Sequence, residues 1–301
     1  MVIKNFTELR EKVASAKKRV VAVACAHDEH TLEAVLKASD EGILDYILIG
    51  HKEEIIEKGR LHCVEISEDT IIDCDTEEEC AKVAVDLVNS GKADFIQKGL
   101  MQTASLLRAV VNKETGIGTG RPISHVALLD IPKYHKIIGV TDGGMILYPD
   151  LDSKKAIAVN SVAMFKDLGY EKPKIAALCA VEVVNPKMPE TVDADQLKKM
   201  AESGEIKDCY IEGPISMDLA VNKEAAAIKK YESPVAGDVD IMLVPNIYSG
   251  NIMVKALLEF AGAMMAGVVI GAKCPIALNS RSASYEEKYY SLMACSLMVN
   301  K

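Results

Sequence analysis

Short apolar runs alternate with amphipathic stretches along nearly the whole chain. Phe6 to Lys18 has helical spacing, with Phe6, Leu9 and Val13 on one face. Val20-Val-Ala-Val-Ala-Cys25 is continuously apolar and predicts a strand buried on both faces. The pattern then gives a helix over His30 to Asp40, a strand at Tyr46 to Gly50, a short helix around Ile55 and Ile56, and weak strands at Val64 to Ile66 and Ile71 to Ile72. Thr76-Glu-Glu-Glu79 has capping-box spacing and opens a helix that runs to Ser90 and stops at Gly91. Ala93 to Ile96 is a strand and Thr103 to Asn112 a helix. Strand and helix alternating at short spacing imply a parallel, doubly wound sheet.

His125 to Ile131 and Lys136 to Val140 break this rhythm, since only a Pro-containing turn separates them and they suit an antiparallel pair. The alternation then resumes. Helices are expected over Ala156 to Leu168, Thr191 to Glu202, Asn222 to Tyr231 and Ile252 to Ala266. Strands are expected over Ile175 to Val181, Cys209 to Ile211, Ile241 to Val244, Val268 to Ile270 and Pro275 to Leu278, and a last helix enters near Ser284. No repeat and no low-complexity linker interrupts the chain, which points to one domain inserted into another. The cluster Thr141-Asp-Gly-Gly144 with Pro149 marks the expected first crossing, so residues 1–141 with 267–301 form one α/β domain and 142–266 the inserted one.

Composition narrows the class. A chain of 301 residues, 49% hydrophobic and 26% charged, is that of an ordinary globular protein. A net charge of −9, no Trp and 4 Phe argue against binding of nucleic-acid backbones or stacking on single strands. The uncharged run Phe260 to Ala272 is well short of the roughly 20 residues a membrane span needs. The charged beginning lacks the apolar centre of a signal peptide, so a cytoplasmic protein with no membrane partner is expected. The eight Cys contain no Cys-x-x-Cys and read as small buried hydrophobes.

Several strands end in polar, Gly- or Pro-bearing turns: Lys98-Gly99, Thr141 to Gly144, Val184 to Met188, Glu212-Gly-Pro214, Pro245-Asn246 and Asn279-Ser-Arg281. In a parallel sheet such turns share one edge, where ligands bind, and one composite cleft, mostly between two domains, is the expectation. Asn279-Ser-Arg281 is the most chemical of them. Ser280 can donate a hydrogen bond, Arg281 can grip an anion with a planar fork, and the helix behind them adds free N–H groups. Basic and hydroxyl residues also follow Lys98, among them Thr103, Arg108, Arg121, Ser124 and His125. Gly116-Ile-Gly-Thr-Gly120 matches neither a dinucleotide nor a P-loop pattern and reads as a flexible rim. Asp193 and Asp195 suit a helix first turn, and Asp238 and Asp240 suit surface turns rather than a metal site.

Lys98 to Glu114 with Ser124-His-Val126, followed in order by Asn185-Pro-Lys-Met188, Gly213-Pro214, Pro245 to Asn251 and Ser280-Arg281, resembles the phosphate acetyl/butyryltransferase family, its butyryl branch above all. The resemblance covers essentially the whole chain. It implies two α/β domains with a cleft between them, like those of the isocitrate and isopropylmalate dehydrogenases. It also implies reversible acyl transfer from butyryl-CoA, or another short-chain acyl-CoA, to phosphate, giving an acyl phosphate and coenzyme A. Within it, Arg281 would bind the phosphoryl group, Ser280 would stabilise the tetrahedral intermediate, and Glu286 or Glu287 would act as base for the CoA thiol. Since Ser284-x-x-Glu287 is itself a capping box, Glu286 is favoured as the chemical carboxylate. Substrate-binding positions would be Lys98, Thr103, Arg108, Arg121, Ser124, His125, Asn246, Gly250 and Asn251, with no metal and no permanently bound cofactor, in a homo-oligomer built from dimers. The chain departs from the family at Gly118, where an Arg is common, and at Ile146 and Ala283, where an Asn and an Asp are common. These departures bear on substrate range rather than reaction type, and the pocket for the acyl chain, with Met145, Met188 and Met253 as candidate lining, stays open. A phosphate acetyltransferase, a fold-related NAD-dependent hydroxy-acid dehydrogenase and a non-catalytic acyl-CoA-binding protein are the alternatives. The dehydrogenase would need a nicotinamide site and a metal-binding Asp set that the sequence does not display.

Overall fold

The computed structural model of the chain describes residues 2–61 and 63–299. They divide into two compact units, one of Phe6–Arg121 with Ala266–Lys301, the other of Met1–Asn5 with Pro122–Met265. The chain enters the first unit through α1 (Phe6–Ala14), β1 (Arg19–Ala24), α2 (Glu29–Asp40), β2 (Leu44–Gly50), α3 (Lys52–Leu61), β3 (Ile71–Asp73), α4 (Glu77–Asn89), β4 (Phe95–Lys98) and α5 (Thr103–Val110). The second unit holds β5 (Ser124–Asp130), β6 (Ile138–Thr141), α6 (Leu151–Asp167), β7 (Lys174–Leu178), α7 (Pro189–Glu202), β8 (Tyr210–Ile215), α8 (Met217–Val221), α9 (Lys223–Ile228), β9 (Ile241–Leu243) and α10 (Ile247–Ala261). β10 (Met264–Ile270), β11 (Ile276–Ala277) and α11 (Tyr285–Met298) return to the first.

In the first unit the strands lie in the order β3-β2-β1-β4-β11-β10, all parallel to their neighbours except β10 against β11. Ala24 is opposite Lys98 and Ala277 opposite Gln97, so β1, β4 and β11 end level with one another. The apolar run that predicts β1 is buried from Val21 to Ala24, as a strand covered on both faces requires. In the second unit the order is β5-β6-β9-β7-β8, with β5 and β6 antiparallel and the rest parallel. Its core gathers Leu129, Val140, Ala176, Ile215 and Met242 from the strands with Leu219 and Val254 from the helices. Among the described residues no helix is long and apolar enough to cross a membrane.

Several elements differ from expectation, each for a local reason. The units divide after Arg121 and after Met265, not at Thr141, because β5 and β6 are one hairpin whose second strand pairs with β9. Residues 64–66 form no strand, and β3 alone extends the sheet there. α10 begins at Ile247 and ends at Ala261, five residues earlier at each end than its apolar content suggests. Asn246 caps its start by accepting from Ser249 N, and Gly262 closes it in the left-handed conformation. The residues past the helix then extend β10 backwards to Met264. α7 likewise starts at Pro189, so Asp193 and Asp195 lie beyond its first turn and pair with Lys154 and Lys199 at 2.6 Å each. The loop Gly116 to Gly120 is no loose rim. Ile117 is fully buried, Gly118 bridges to Ala272, and Thr119 Oγ1 donates to Gly271 O at 2.6 Å.

Asp238 and Asp240 are the largest surprise. Asp240 is 2% exposed and meets Lys136, and Lys174 N donates to its other oxygen at 2.7 Å. Asp238 gathers Lys136, Lys174 and His135, and hydrogen bonds from these side chains outweigh burial and hold its carboxyl far below the usual range. Instead of surface turns, the pair forms a charge network at the amino ends of β6, β7 and β9.

Candidate active site

The level ends of β1, β4 and β11 bring three loops of the first unit to one sheet edge. Gly99 shows how closely they approach: a Cβ there would lie 2.1 Å from Cys25 O, so no side chain fits where β4 turns past β1. Just before it, Lys98 is buried to 5% and donates from Nζ to Gly99 O at 3.1 Å and Met101 O at 3.0 Å. Burial first, then the charges of Lys288 and Arg281, hold its ammonium below the ordinary lysine range. After β11 the chain turns through Ser280 and Arg281, both exposed. Ala283 N closes the turn on Ser280 O at 3.2 Å, and the Ser280 and Ser282 hydroxyls lie 3.1 Å apart.

α11 starts directly behind this turn. Ser284 N donates to Glu287 Oε2 at 2.9 Å and Glu287 N to Ser284 Oγ at 3.3 Å, so both arms of the capping box are present. Glu287 is therefore occupied by the helix start. The Glu286 carboxyl is only partly buried. That burial raises it, but hydrogen bonds with its own backbone N–H, Ser284 and Tyr285, and the charge of Lys37, hold it below the usual carboxylate range. It is ionised at neutral pH, the state needed to accept a proton.

The edge also gathers residues that the sequence did not single out. Asp28, past the end of β1, caps α2 by accepting from Thr31 N at 3.0 Å and contacts Thr31 Oγ1 and Lys288 Nζ. Lys288 Nζ also donates to Thr31 Oγ1 at 2.9 Å. Burial works to raise the Asp28 carboxyl, but hydrogen bonds from Lys288 and Thr31 outweigh it and hold it low. The available signal was Asp28 at a strand end with Thr31 three residues on, a helix-start pattern.

The other expected residues of this unit spread further. Thr103 is the first residue of α5, where Gln102 N donates to Glu77 Oε2 at 2.9 Å. Arg108 lies in the second turn of α5 with its side chain 72% exposed, 3.9 Å from Glu78 Oε1. Arg121 is exposed at the unit's last residue before β5.

In the second unit the ends of β6 and β9 are level, with Thr141 opposite Leu243. Ser124 is fully buried and accepts from Asn160 Nδ2 at 3.1 Å. His125 N donates to Asp142 Oδ2 at 3.0 Å, while Gly144 N and Met145 N donate to Asp142 Oδ1 at 2.8 Å. A Cβ on Gly250 would meet Gly143 Cα and Val244 Cγ2 at 2.8 Å, so α10 packs directly on the turn after β6. Asn251 Nδ2 donates to Gly143 O at 3.3 Å across the same contact. Asn246, Gly250 and Asn251 thus start α10 and hold it against the turn.

The chain matches the profile described as "Phosphate acetyl/butaryl transferase" over residues 5–84 and 77–295. It is 42% identical over 297 residues to a phosphate butyryltransferase of Clostridium acetobutylicum, covering 99% of both chains. It is 38% identical over 287 residues to a phosphate acetyltransferase of Thermotoga maritima, covering 95% of this chain and 97% of the other. A solved branched-chain phosphotransacylase of Enterococcus faecalis superposes with a TM-score of 0.81 at 32% identity, covering 93% of this chain and 99% of that one. A structure titled as a putative 4-hydroxythreonine-4-phosphate dehydrogenase of Salmonella typhimurium, at TM-score 0.57, 16% identity and coverage of 94% and 100%, shares the fold.

Proposed function

The chain belongs to the phosphate acetyl/butaryl transferase family, and from that premise we propose that it exchanges the acyl group of a short-chain acyl-CoA, butyryl-CoA first, between coenzyme A and phosphate. The observation that carries the reading is the sheet edge of the first unit. It sets buried Lys98, the exposed Ser280-Arg281 turn and the start of α11 together. Phosphate and acyl phosphate are anions, and an Arg fork with free helix N–H groups recognises them.

A phosphate oxygen attacks the thioester carbonyl, the carbonyl oxygen gathers negative charge, and the CoA thiolate leaves. In reverse, a carboxylate takes the thiol proton and the thiolate attacks the acyl phosphate. In this scheme Arg281 binds the phosphoryl group, Ser280 Oγ donates to the developing oxyanion, and Glu286 handles the thiol proton, because Glu287 is committed to the cap. Lys98, Thr103, Arg108 and Arg121 in the first unit, and Ser124, His125, Asn246, Gly250 and Asn251 in the second, are the candidate substrate contacts. Their burial and helix-start duties make Ser124, Asn246 and Gly250 supports for the loops that hold substrate. The reaction needs only the two substrates, coenzyme A thioester and phosphate, in the cytoplasm.

We read the active species as a homo-oligomer formed through α10. Ile252 and Phe260 are 67% and 91% exposed, two turns apart on one face, with exposed Ala256 between them. An antiparallel second copy of the helix would cover this stripe and set Lys255 against Glu259.

Thiol release from butyryl-CoA and phosphate tests the function, with acetyl-CoA and a branched-chain acyl-CoA as competitors. Arg281→Ala and Ser280→Ala should each lower kcat/KM by about 10²–10³ with unchanged melting. Near wild-type rates in both variants would remove the turn from the mechanism, and a higher kcat/KM with acetyl-CoA would reassign the acyl group.

A further inference from the structure

We propose that Asp28 and Lys288 are positioning residues for the Ser280–Arg281 turn, strapping the first turns of α11 to the start of α2 and thereby fixing where the turn presents its side chains. The inference rests on the acyl-transfer reading above. Within the turn itself the side-chain contacts among the described residues all converge on exposed Ser280 Oγ, which lies 3.1 Å from the Ser282 hydroxyl and accepts from Ser282 N at 3.4 Å. Its position therefore comes from its flanks. On one side it leaves β11, held between β4 and β10. On the other side three contacts reach α2 and its cap. His30 Nδ1 lies 3.1 Å from Ala283 O, so the ring donates there when Nδ1 carries the hydrogen. One helical turn further, Lys288 Nζ meets Asp28 Oδ2 and donates to Thr31 Oγ1 at 2.9 Å. The Lys288 and Asp28 side chains are 5% and 17% exposed, and Thr31 and Ala283 are buried. An ion pair with one partner buried, the other mostly so, and a third side chain bonded to both is stiff, since moving either partner strands the other's charge.

The pair also sets the charge around Lys98. The groups that face the Lys98 ammonium are Lys288 on α11, Arg281 in the turn, Asp28 at the start of α2 and Glu77 on α4. Lys288 and Arg281 repel its charge, while Asp28 and Glu77 favour it. The same ion pair therefore has two partners of opposite effect on Lys98. A purely structural role for the pair would not separate them.

The test compares Asp28→Asn, Lys288→Met and the double variant by the pH dependence of kcat/KM for phosphate in butyryl-CoA phosphorolysis, with thermal melting alongside. Asparagine still caps α2, so Asp28→Asn removes charge without removing the cap. Both single variants should lose about 100-fold in kcat/KM at neutral pH, the scale expected when a reacting group is displaced by an ångström. The alkaline limb, where Lys98 loses its proton, should move to lower pH in Asp28→Asn and to higher pH in Lys288→Met. In the double variant, whose neutral pair folds even where a stranded charge does not, the limb should return toward wild type while kcat/KM stays low. Wild-type kcat/KM in the double variant, or limbs that stay fixed or move the same way, would overturn the strap. A wild-type protein without phosphorolysis of any acyl-CoA would instead overturn the reading of the reaction.

Discussion

Replacing Lys136 by methionine leaves Asp240 with a choice that pH controls. Lys136 Nζ meets the Asp240 carboxylate, lies 2.9 Å from Asp238 Oδ1 and donates to Asp238 O at 3.0 Å. The Asp240 side chain is 3% exposed, and burial already pushes its carboxyl up. Without the ammonium, Asp240 can stay ionised and unpaired, which costs about 3–5 kcal/mol. It can also take up a proton. At pH 7 that costs roughly 4 kcal/mol, the gap to an ordinary carboxyl near 3.9 at about 1.4 kcal/mol per pH unit, and at pH 5 only about 1.5 kcal/mol. The sign follows from linkage: with the folded value raised above the unfolded one, the folded state binds the proton more tightly, so the penalty grows as pH rises between the two values. Asp238 is 26% exposed and keeps Lys174 and His135, which discounts its loss to below about 1 kcal/mol. For a unit of about 150 residues, 1 kcal/mol shifts melting by roughly 3 °C. Scanning calorimetry of Lys136→Met against wild type should show a loss of about 10 °C at pH 7 and about 5 °C at pH 5. Equal losses at pH 5 and pH 8, or losses below about 3 °C at both, would refute the account of Asp240 as a buried, Lys136-dependent charge.

Two further perturbations separate roles that sequence leaves adjacent. Glu287→Ala should cost about 1 kcal/mol of stability through the capping box, and Glu286→Gln should leave melting within about 0.5 kcal/mol while lowering kcat; the reverse pattern in calorimetry and steady-state rates would exchange the two roles. Phe260→Glu should leave the fold intact, since that side chain is 91% exposed, and halve the sedimenting mass. Sedimentation unchanged from wild type would move the subunit interface away from α10.

The fold was legible wherever a segment's environment is set by its own sequence. The apolar run of β1 and the 3.6-residue spacing of α1 needed no partner to be read, and Phe6, Leu9 and Val13 are buried as that spacing predicts. The antiparallel β5-β6 pair was legible for the same reason, since only a short turn separates the strands. Legibility failed where tertiary contact overrode local pattern. The sequence starts α10 only at Ile252, yet it starts at Ile247, and position 250 takes no side chain because the backbone of Gly143 passes where a Cβ would stand. Asp240 stands with Asp238 just ahead of an apolar strand, a place that reads as a turn, yet β6, β7 and β9 close over it and supply Lys136 from elsewhere in the chain.

The candidate site divides along the same line. Ser280 and Arg281 stand out as candidates because a single turn carries both chemistries, and the structural duty of Glu287 was legible because a capping box has a three-residue signature. Asp28 and Lys288 stand 260 positions apart, and each has an ordinary local explanation, one as a helix cap and the other as a helical lysine. What joins them is the register of three parallel strands. Ala24 lies opposite Lys98 and Ala277 opposite Gln97, so whatever follows β1 must meet whatever follows β11. The general consequence is that reactive groups at such an edge can be found by motif, whereas the groups that aim them are found only by counting the sheet across. For this chain, mutations that spare the Ser280–Arg281 motif and still abolish turnover should therefore include those just past the end of β1 and in the first turn of α11, at Asp28 and Lys288.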